Sequence, residues 1–221
     1  MKILILADSY LFDTPNINGT LVQLHNLSEG FVGLGHKVYY VTYTEIKKCY
    51  YEKKNGIDFY RIYNKKSILS KFLKFKEIKK IMKDIKPDAI YMRGRNLLQL
   101  TASNYAKENS INFVWGTNGE DSAEFWKNIK RLKKSKKSAI KKVILFPIKF
   151  FEDLLINKGM KNSTIIVNQT DYQQKQTKKL LKKNGHIIPN FFQVDTKNKI
   201  KKNQILWLST LSENKKPKIF I

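Results

Sequence analysis

The sequence predicts an α/β protein with a Rossmann-like, mostly parallel sheet and helices on both faces. Three observations predict it. Short apolar runs alternate along the chain with longer amphipathic segments, the pattern of strands joined by helical crossovers. The runs at Ile3–Ala7, Val38–Val41 and Thr164–Val167 are almost wholly apolar or β-branched, as strands covered on both faces are. The chain opens as strand, glycine loop, helix and strand, the parallel βαβ unit.

Each element follows in order. Leu21, Leu24, Leu27, Phe31 and Leu34 recur at helical spacing and predict a helix over Thr20–Leu34. Thr20 with Gln23 fits a capping box, and Gly35 stands where a C-cap glycine belongs. Asn55-Gly56, between Lys48–Tyr51 and Ile57–Tyr63, predicts an antiparallel hairpin with a two-residue turn. A basic amphipathic helix is expected over Ser70–Ile85, stopped by Pro87. Ala89–Met92 is a strand, Arg93-Gly94-Arg95 a loop, Asn96–Glu108 a helix and Ile111–Trp115 a strand. Glu124–Lys142 reads as one very basic helix, with a further helix running to Gly159. Asp171 is expected to cap a helix to about Lys183, and His186–Ile188 is a last short strand before Pro189-Asn190. Lys197–Lys202 is a charged linker, and Ile205–Ser209 begins a new strand. The expected division is a Rossmann-like domain over residues 1–196, and a linker and first strand of a second domain over 197–221.

The net charge is +25, yet only Arg61, Arg93, Arg95 and Arg131 are arginines. Two readings stand side by side: a lysine-decorated solvated surface, or attraction to an anionic membrane or polyanion. Scarce arginine argues against base readout, so a specific nucleic-acid partner is not expected. Cys49 is the single cysteine, which excludes an internal disulfide framework and suits a reducing, cytoplasmic compartment. Val143–Phe151 is too short to span a bilayer and contains Pro147 and Lys149.

Several chemistries lack their residues. The G-x-G-x-x-G dinucleotide fingerprint is absent after the first strand, where only Gly19 stands. There is no Walker A sequence and no G-x-S-x-G elbow. His25, His36 and His186 are scattered and not at metal-ligand spacing with Cys49. No cofactor or metal is expected. Glu120 and Asp121, on the loop after a core strand, suit charge-assisted hydrogen bonds to a substrate hydroxyl, or else form a solvated turn.

The order of the pieces resembles the amino-terminal domain of family 4 glycosyltransferases of the GT-B fold. The resemblance is carried by the opening strand and glycine loop, Gly35-His36-Lys37-Val38, and the Lys86-Pro87-Asp88 strand entry. It continues through Thr117-Asn118-Gly119-Glu120-Asp121, where that family often has His-Gly-x-(Asp/Glu), and through Thr164–Asn168 with Gln169-Thr170. Ile188-Pro189-Asn190 matches the family's "I-P-N" signature, with Phe191-Phe192-Gln193-Val194-Asp195 in place of Gly-Val-Asp. Lys215-Lys216-Pro217 resembles the basic segment at the start of its second domain. Two residues depart from the pattern: Asn118 replaces the loop histidine, and Thr210 falls where a donor-binding arginine is usual. An asparagine can hydrogen-bond a sugar hydroxyl but cannot switch its proton near neutral pH.

The resemblance implies a retaining glycosyltransferase that moves a sugar from a nucleotide-sugar donor to a glycan or lipid-linked acceptor in cell-envelope glycan assembly. It implies donor-side roles for Asn18, Gly19 and Lys215, and acceptor- or sugar-side roles for Arg93, Arg95, Asn118, Glu120 and Asp121. It assigns no catalytic residue. It further implies that the chain is inactive alone, because the donor pocket lies largely in the second domain. Many members work at the cytoplasmic membrane face, so Ser70–Ile85 and Lys127–Phe151 are candidates for an anionic lipid surface, with Lys133, Lys134, Lys136 and Lys137 facing it. The alternatives are a lysine-rich module that binds polyanions and a non-catalytic partner that keeps the fold.

Overall fold

The computed structural model describes residues 1–13, 19–64, 73–119 and 121–190. Asn18, Glu120, Lys215 and the linker and strand expected over 197–221 lie outside these residues.

The strands are β1 (Lys2–Ala7), β2 (Lys37–Thr44), β3 (Tyr50–Lys54), β4 (Ile57–Tyr63), β5 (Ala89–Arg93), β6 (Asn112–Gly116), β7 (Ile165–Asn168) and β8 (His186–Ile187). They form an eight-stranded sheet in the order β3-β4-β2-β1-β5-β6-β7-β8. Only the β3–β4 pair is antiparallel. The other strands therefore end at one carboxyl edge, where open α/β sheets bind ligands.

β1 is central, as its apolar run requires. It pairs with β2 through Ile3–Val38 and with β5 through Ile3–Ala89. Leu4 and Leu6 enter one core with Ile90, Met92, Phe113 and Trp115. Ile3 and Ile5 enter another with Tyr40, Ile57 and Phe59. The alternation follows from the two-residue period of a strand. At the β3–β4 turn Asn55 and Gly56 have φ of 51° and 75°, the left-handed pair that a two-residue hairpin needs.

The helices are α1 (Gly19–Gly33), α2 (Phe75–Ile85), α3 (Leu98–Glu108), α4 (Lys127–Lys134), α5 (Ala139–Lys161) and α6 (Asp171–Leu181). α1 packs Leu24, Phe31 and Val32 on the Ile5 side. α2, α3 and α5 bury Ile78, Met82, Ala102, Tyr105 and Ile156 on the Leu4 side. Helices therefore cover both faces.

Four local expectations change. The α1 helix ends at Gly33 in a Schellman motif, His36 N to Phe31 O at 3.0 Å and Gly35 N to Val32 O at 2.9 Å. Leu34 thus leaves the apolar stripe and is 74% exposed. At the other end α1 begins at Gly19, so Thr20 lies inside the first turn, and its hydroxyl donates to Asn118. The single basic helix expected over Glu124–Lys142 is interrupted: Ser135 and Ser138 are extended, with ψ of 151° and 156°, between α4 and α5. In the segment expected to form a helix from Ser70, residues 70–72 lie outside the described residues. The helix that is described, α2, turns Ile78, Met82 and Ile85 into the core, which removes them from any membrane-facing role.

Candidate functional site

Loops after β1, β5 and β6 and the first turn of α1 meet at the carboxyl edge. They line two adjoining hollows. One, of about 320 Å³, is bounded by Asp8, Ser9, Thr20, Arg93, Asn96 and Asn118. The other, of about 310 Å³, is bounded by Asn118, Gly119, Asp121, Lys127, Asn128 and Arg131. Gly94, Arg95 and Asn118 line both.

The β5 loop is held from several sides. Gly94 has φ of 82°, a left-handed value that suits glycine, and a Cβ there would lie 3.6 Å from the Asn118 side chain. Gly94 N donates to Gly116 O at 2.9 Å. Gly94 O accepts from Trp115 Nε1 at 2.6 Å and Gln99 Nε2 at 3.2 Å. The two arginines that flank it have different surroundings. Arg95 donates to Asp153 at 2.6 Å, to Asn157 at 3.1 Å and to the Glu124 carbonyl at 2.6 Å. Burial lowers its pKa, and the Asp153 carboxylate opposes that shift. Arg93 donates to Asn190 Oδ1 at 2.5 Å; the Nε atoms of both arginines are buried without a partner among the described residues. Burial lowers the Arg93 pKa as well, with Tyr91 opposing; burial raises the Tyr91 hydroxyl, with Arg93 opposing.

The β6 loop is equally constrained. The amides of Asn118 and Gly119 both donate to Ser122 Oγ at 2.8 Å. The Thr117 hydroxyl donates to Gln173 Oε1 at 2.6 Å, and Gln169 Nε2 donates to the Thr117 carbonyl at 2.6 Å. Asn190 continues this chain by donating to Gln169 Oε1 at 3.1 Å. Asp121 is exposed and ion-paired with Lys127 at 2.6 Å. The Asn118 carbonyl Oδ1 accepts from Thr20, which ties the β6 loop to α1 across the hollow.

Of the residues singled out from sequence, Gly19, Arg93, Arg95, Asn118 and Asp121 fall at this edge. Gly19 is the exposed first residue of α1, and a Cβ there would meet nothing within 4 Å. Lys133, Lys134, Lys136 and Lys137 are exposed at the end of α4 and in the turn after it, away from the hollows. Sequence reasoning noted Gln169 and Asn190 only as family motifs, and Lys127 and Arg131 only as part of a basic segment, and placed none of the four at the site. Gln169 and Asn190 follow β7 and β8 directly, so the carboxyl-edge rule applied to every parallel strand would have found them. Lys127 and Arg131 are four apart on α4 and share a face. Among the described residues, no three His, Cys, Asp or Glu side chains converge as a metal site.

An apolar cavity of about 330 Å³ lies on the α1 side, lined by Ile3, Leu27, Phe31, Tyr91, Val114 and Val167 among others. Among the described residues Arg93 contributes its one charged side chain and also borders the first hollow.

A parallel sheet with polar, cation-bearing loops gathered at its carboxyl edge is a Rossmann-like ligand-binding domain. Residues 19–146, more than half of the chain, match the sequence model of the glycosyl transferase 4-like family, and the chain belongs to that family. The sucrose-phosphate synthase of Thermosynechococcus elongatus shares the fold at 10% identity and a TM-score of 0.52, over 85% of this chain and 47% of that one. HepE of Anabaena, solved in complex with UDP and glucose, does so at 12% identity and a TM-score of 0.51, over 87% of this chain and 45% of that one. The chain therefore spans just under half the length of these proteins. No curated protein matches it by sequence.

Proposed function

We propose that the carboxyl edge of this sheet is the acceptor-side wall of a glycosyltransferase cleft. The reaction is transfer of a sugar, with retention, from a nucleotide-sugar donor to a glycan or lipid-linked acceptor. The observation that carries the reading is the hydrogen bond from Thr20 to Asn118. It sets the start of α1, the donor-facing segment, against the β6 loop, the acceptor-facing one, beside polar hollows large enough for a sugar ring.

The open backbone at Gly19, with Asn18 before it, approaches the donor phosphates at a helix N-terminus. Asn118 offers its amide N–H₂ to a sugar hydroxyl while its carbonyl is held by Thr20. Arg93 contacts an anionic or hydroxyl-bearing acceptor through its guanidinium, which borders both the first hollow and the apolar cavity. Glu120 and Asp121 accept from acceptor hydroxyls. Arg95 acts as a positioning residue, since its Nη groups are taken by Asp153, Asn157 and Glu124. Lys215 completes the donor side together with a second Rossmann-like half.

A reaction between two bound substrates needs both walls of the cleft. The isolated 221-residue chain should therefore release no sugar from a panel of nucleotide donors, and joining it to a compatible carboxyl-terminal half should restore transfer. Enzyme-like turnover by the isolated chain would overturn the two-wall reading. A joined protein that folds, binds donor and still transfers nothing would overturn the assignment of this edge as the acceptor wall.

A further inference from the structure

Arginine is scarce in this chain, four of 43 basic side chains, and its placement is selective. Arg61 pairs with Glu52, and Arg95 with Asp153. Arg93 donates to Asn190. Each of these three meets a carboxylate or amide oxygen that the chain itself supplies. Arg131 is different. It is exposed on α4, lines the second hollow, and makes no hydrogen bond or ion pair among the described residues. Lysine serves at the other exposed basic positions of this helix, Lys130, Lys133 and Lys134. A guanidinium differs from an ammonium chiefly in its planar fork, which grips two oxygens of one carboxylate or phosphate at once.

The charges around the second hollow leave one cation over. Arg95, Lys127 and Arg131 line it with one carboxylate, Asp121. Asp121 is paired with Lys127, and Arg95 with Asp153 behind it, so Arg131 alone is uncompensated. Lys127 stands one turn before Arg131 on the same face, a like-charged pair that an anion beside them would relieve. Ser122 supplies a second open donor. It is 3% exposed and lines the hollow. Its Oγ accepts the amides of Asn118 and Gly119, and its hydroxyl proton has no acceptor among the described residues. A hydroxyl has one proton to give, and accepting two N–H bonds makes it a stronger donor.

We propose that the second hollow takes the carboxylate of an acidic acceptor sugar, a hexuronate, and that Arg131 selects it. One surplus cation matches a singly charged group. At about 310 Å³ the hollow stands at the small end of ligand sites and suits one sugar ring. Asn118 and Asp121, which line it too, remain for the ring hydroxyls. The other anion of the proposed reaction is the donor diphosphate. That group belongs at the start of α1, beside the first hollow, which Arg131 does not line. The inference rests on reading this edge as the acceptor wall, and it adds the acid group that the reading leaves open.

The test is an NMR titration of the isotope-labelled 221-residue chain, followed through the amide signals of Asn118 and Gly119. The ligands are the methyl glycosides of glucuronic and galacturonic acid, each beside its neutral parent, glucose or galactose. An acidic glycoside should bind about tenfold or more tighter than its neutral parent. Arg131→Gln should remove that preference and leave the neutral sugar within about twofold, with the melting temperature unchanged. Arg131→Lys should restore only part of the preference, because an ammonium lacks the fork. Lys134→Gln, an equal loss of charge on the same helix but outside the hollow, should stay within about twofold. Equal affinity for acidic and neutral sugars, or a preference that survives Arg131→Gln, would overturn the carboxylate site and leave the acceptor wall standing. Failure of every sugar to move the two amides would overturn both. Displacement of the acidic sugar by UDP would assign Arg131 to the donor and overturn the proposal.

Discussion

Arg95 and Asp153 form an ion pair at 2.6 Å with their side chains 5% and 0% exposed. The Asp153 carboxylate does more than neutralise the guanidinium. It accepts from the backbone N–H of Asn128 at 3.3 Å and of Ile129 at 3.1 Å, so a side chain on α5 satisfies two open amides in the first turn of α4. One carboxylate therefore fixes the β5 loop, the start of α4 and the middle of α5 relative to one another. Asp153→Ala would leave Arg95 buried with its main partner gone and α4 with two unmet amides. The expected loss is about 3–5 kcal/mol in denaturant unfolding. A loss below about 1 kcal/mol would mean that the site loop does not depend on this pair.

Gly159 tests the packing of α5 on α3. A Cβ there would stand 2.6 Å from the Gln99 carbonyl carbon and 2.7 Å from Leu100 N, both backbone atoms that cannot swing aside. Glycine to alanine in a helix interior ordinarily gains about 1 kcal/mol. Here the contact reverses the sign, and Gly159→Ala should cost about 1–3 kcal/mol. A stabilised variant in chemical denaturation would show that the two helices are not in close approach.

The fold was legible where local chemistry decides it. The unbroken apolar run at Ile3–Ala7 announced a central strand, Asn55-Gly56 a hairpin, and Gly35 the end of α1. Partners remote in sequence were not legible. Arg93 and Arg95 share one loop and looked equivalent, but Asp153, 58 residues beyond Arg95, separates their roles. The break between α4 and α5 was hidden because a lysine run carries no helical period of its own. Leu34 fits the leucine period yet lies beyond the turn at which the backbone leaves the helix. Periodicity reports which face a residue would take, not where the helix stops.

The buried tyrosines set the alkaline limit. Burial raises the Tyr43 hydroxyl, with the charges of Asp8 and Glu77 adding to it, and burial raises Tyr91. A tyrosine whose folded pKa lies above its unfolded value contributes stability that is complete below the unfolded pKa, about 10. That stability is lost as pH rises through the folded pKa. Unfolding free energy should be level through neutral pH and fall above about pH 10. Tyr43→Phe should flatten the fall. Tyrosinate absorbance should show these two rings ionising above the ordinary tyrosine range, and a single titration step near pH 10 shared by every ring would contradict the burial argument.

The last prediction concerns the two side chains that carry the proposed chemistry. In the chain joined to a donor half, Asn118→Ala removes the amide beside Thr20, and Arg93→Ala removes the cation between the hollow and the apolar cavity. A hydrogen bond from a charged donor contributes about 1.5–3 kcal/mol, so Arg93→Ala should reduce kcat/KM by about 10- to 100-fold. Asn118→Ala, a neutral contact, should cost about 3- to 10-fold. Both positions also make structural contacts, and the melting temperature separates the two effects. Among the described residues Asn118 holds only Thr20 through its side chain, so its variant should melt within a few degrees of the parent while transfer falls. Arg93→Lys keeps the charge but lacks the fork that reaches Asn190 together with a substrate oxygen, and should recover only part of the lost rate. Full activity in Arg93→Ala, with donor consumption and product linkage unchanged, would remove the acceptor from this edge of the sheet.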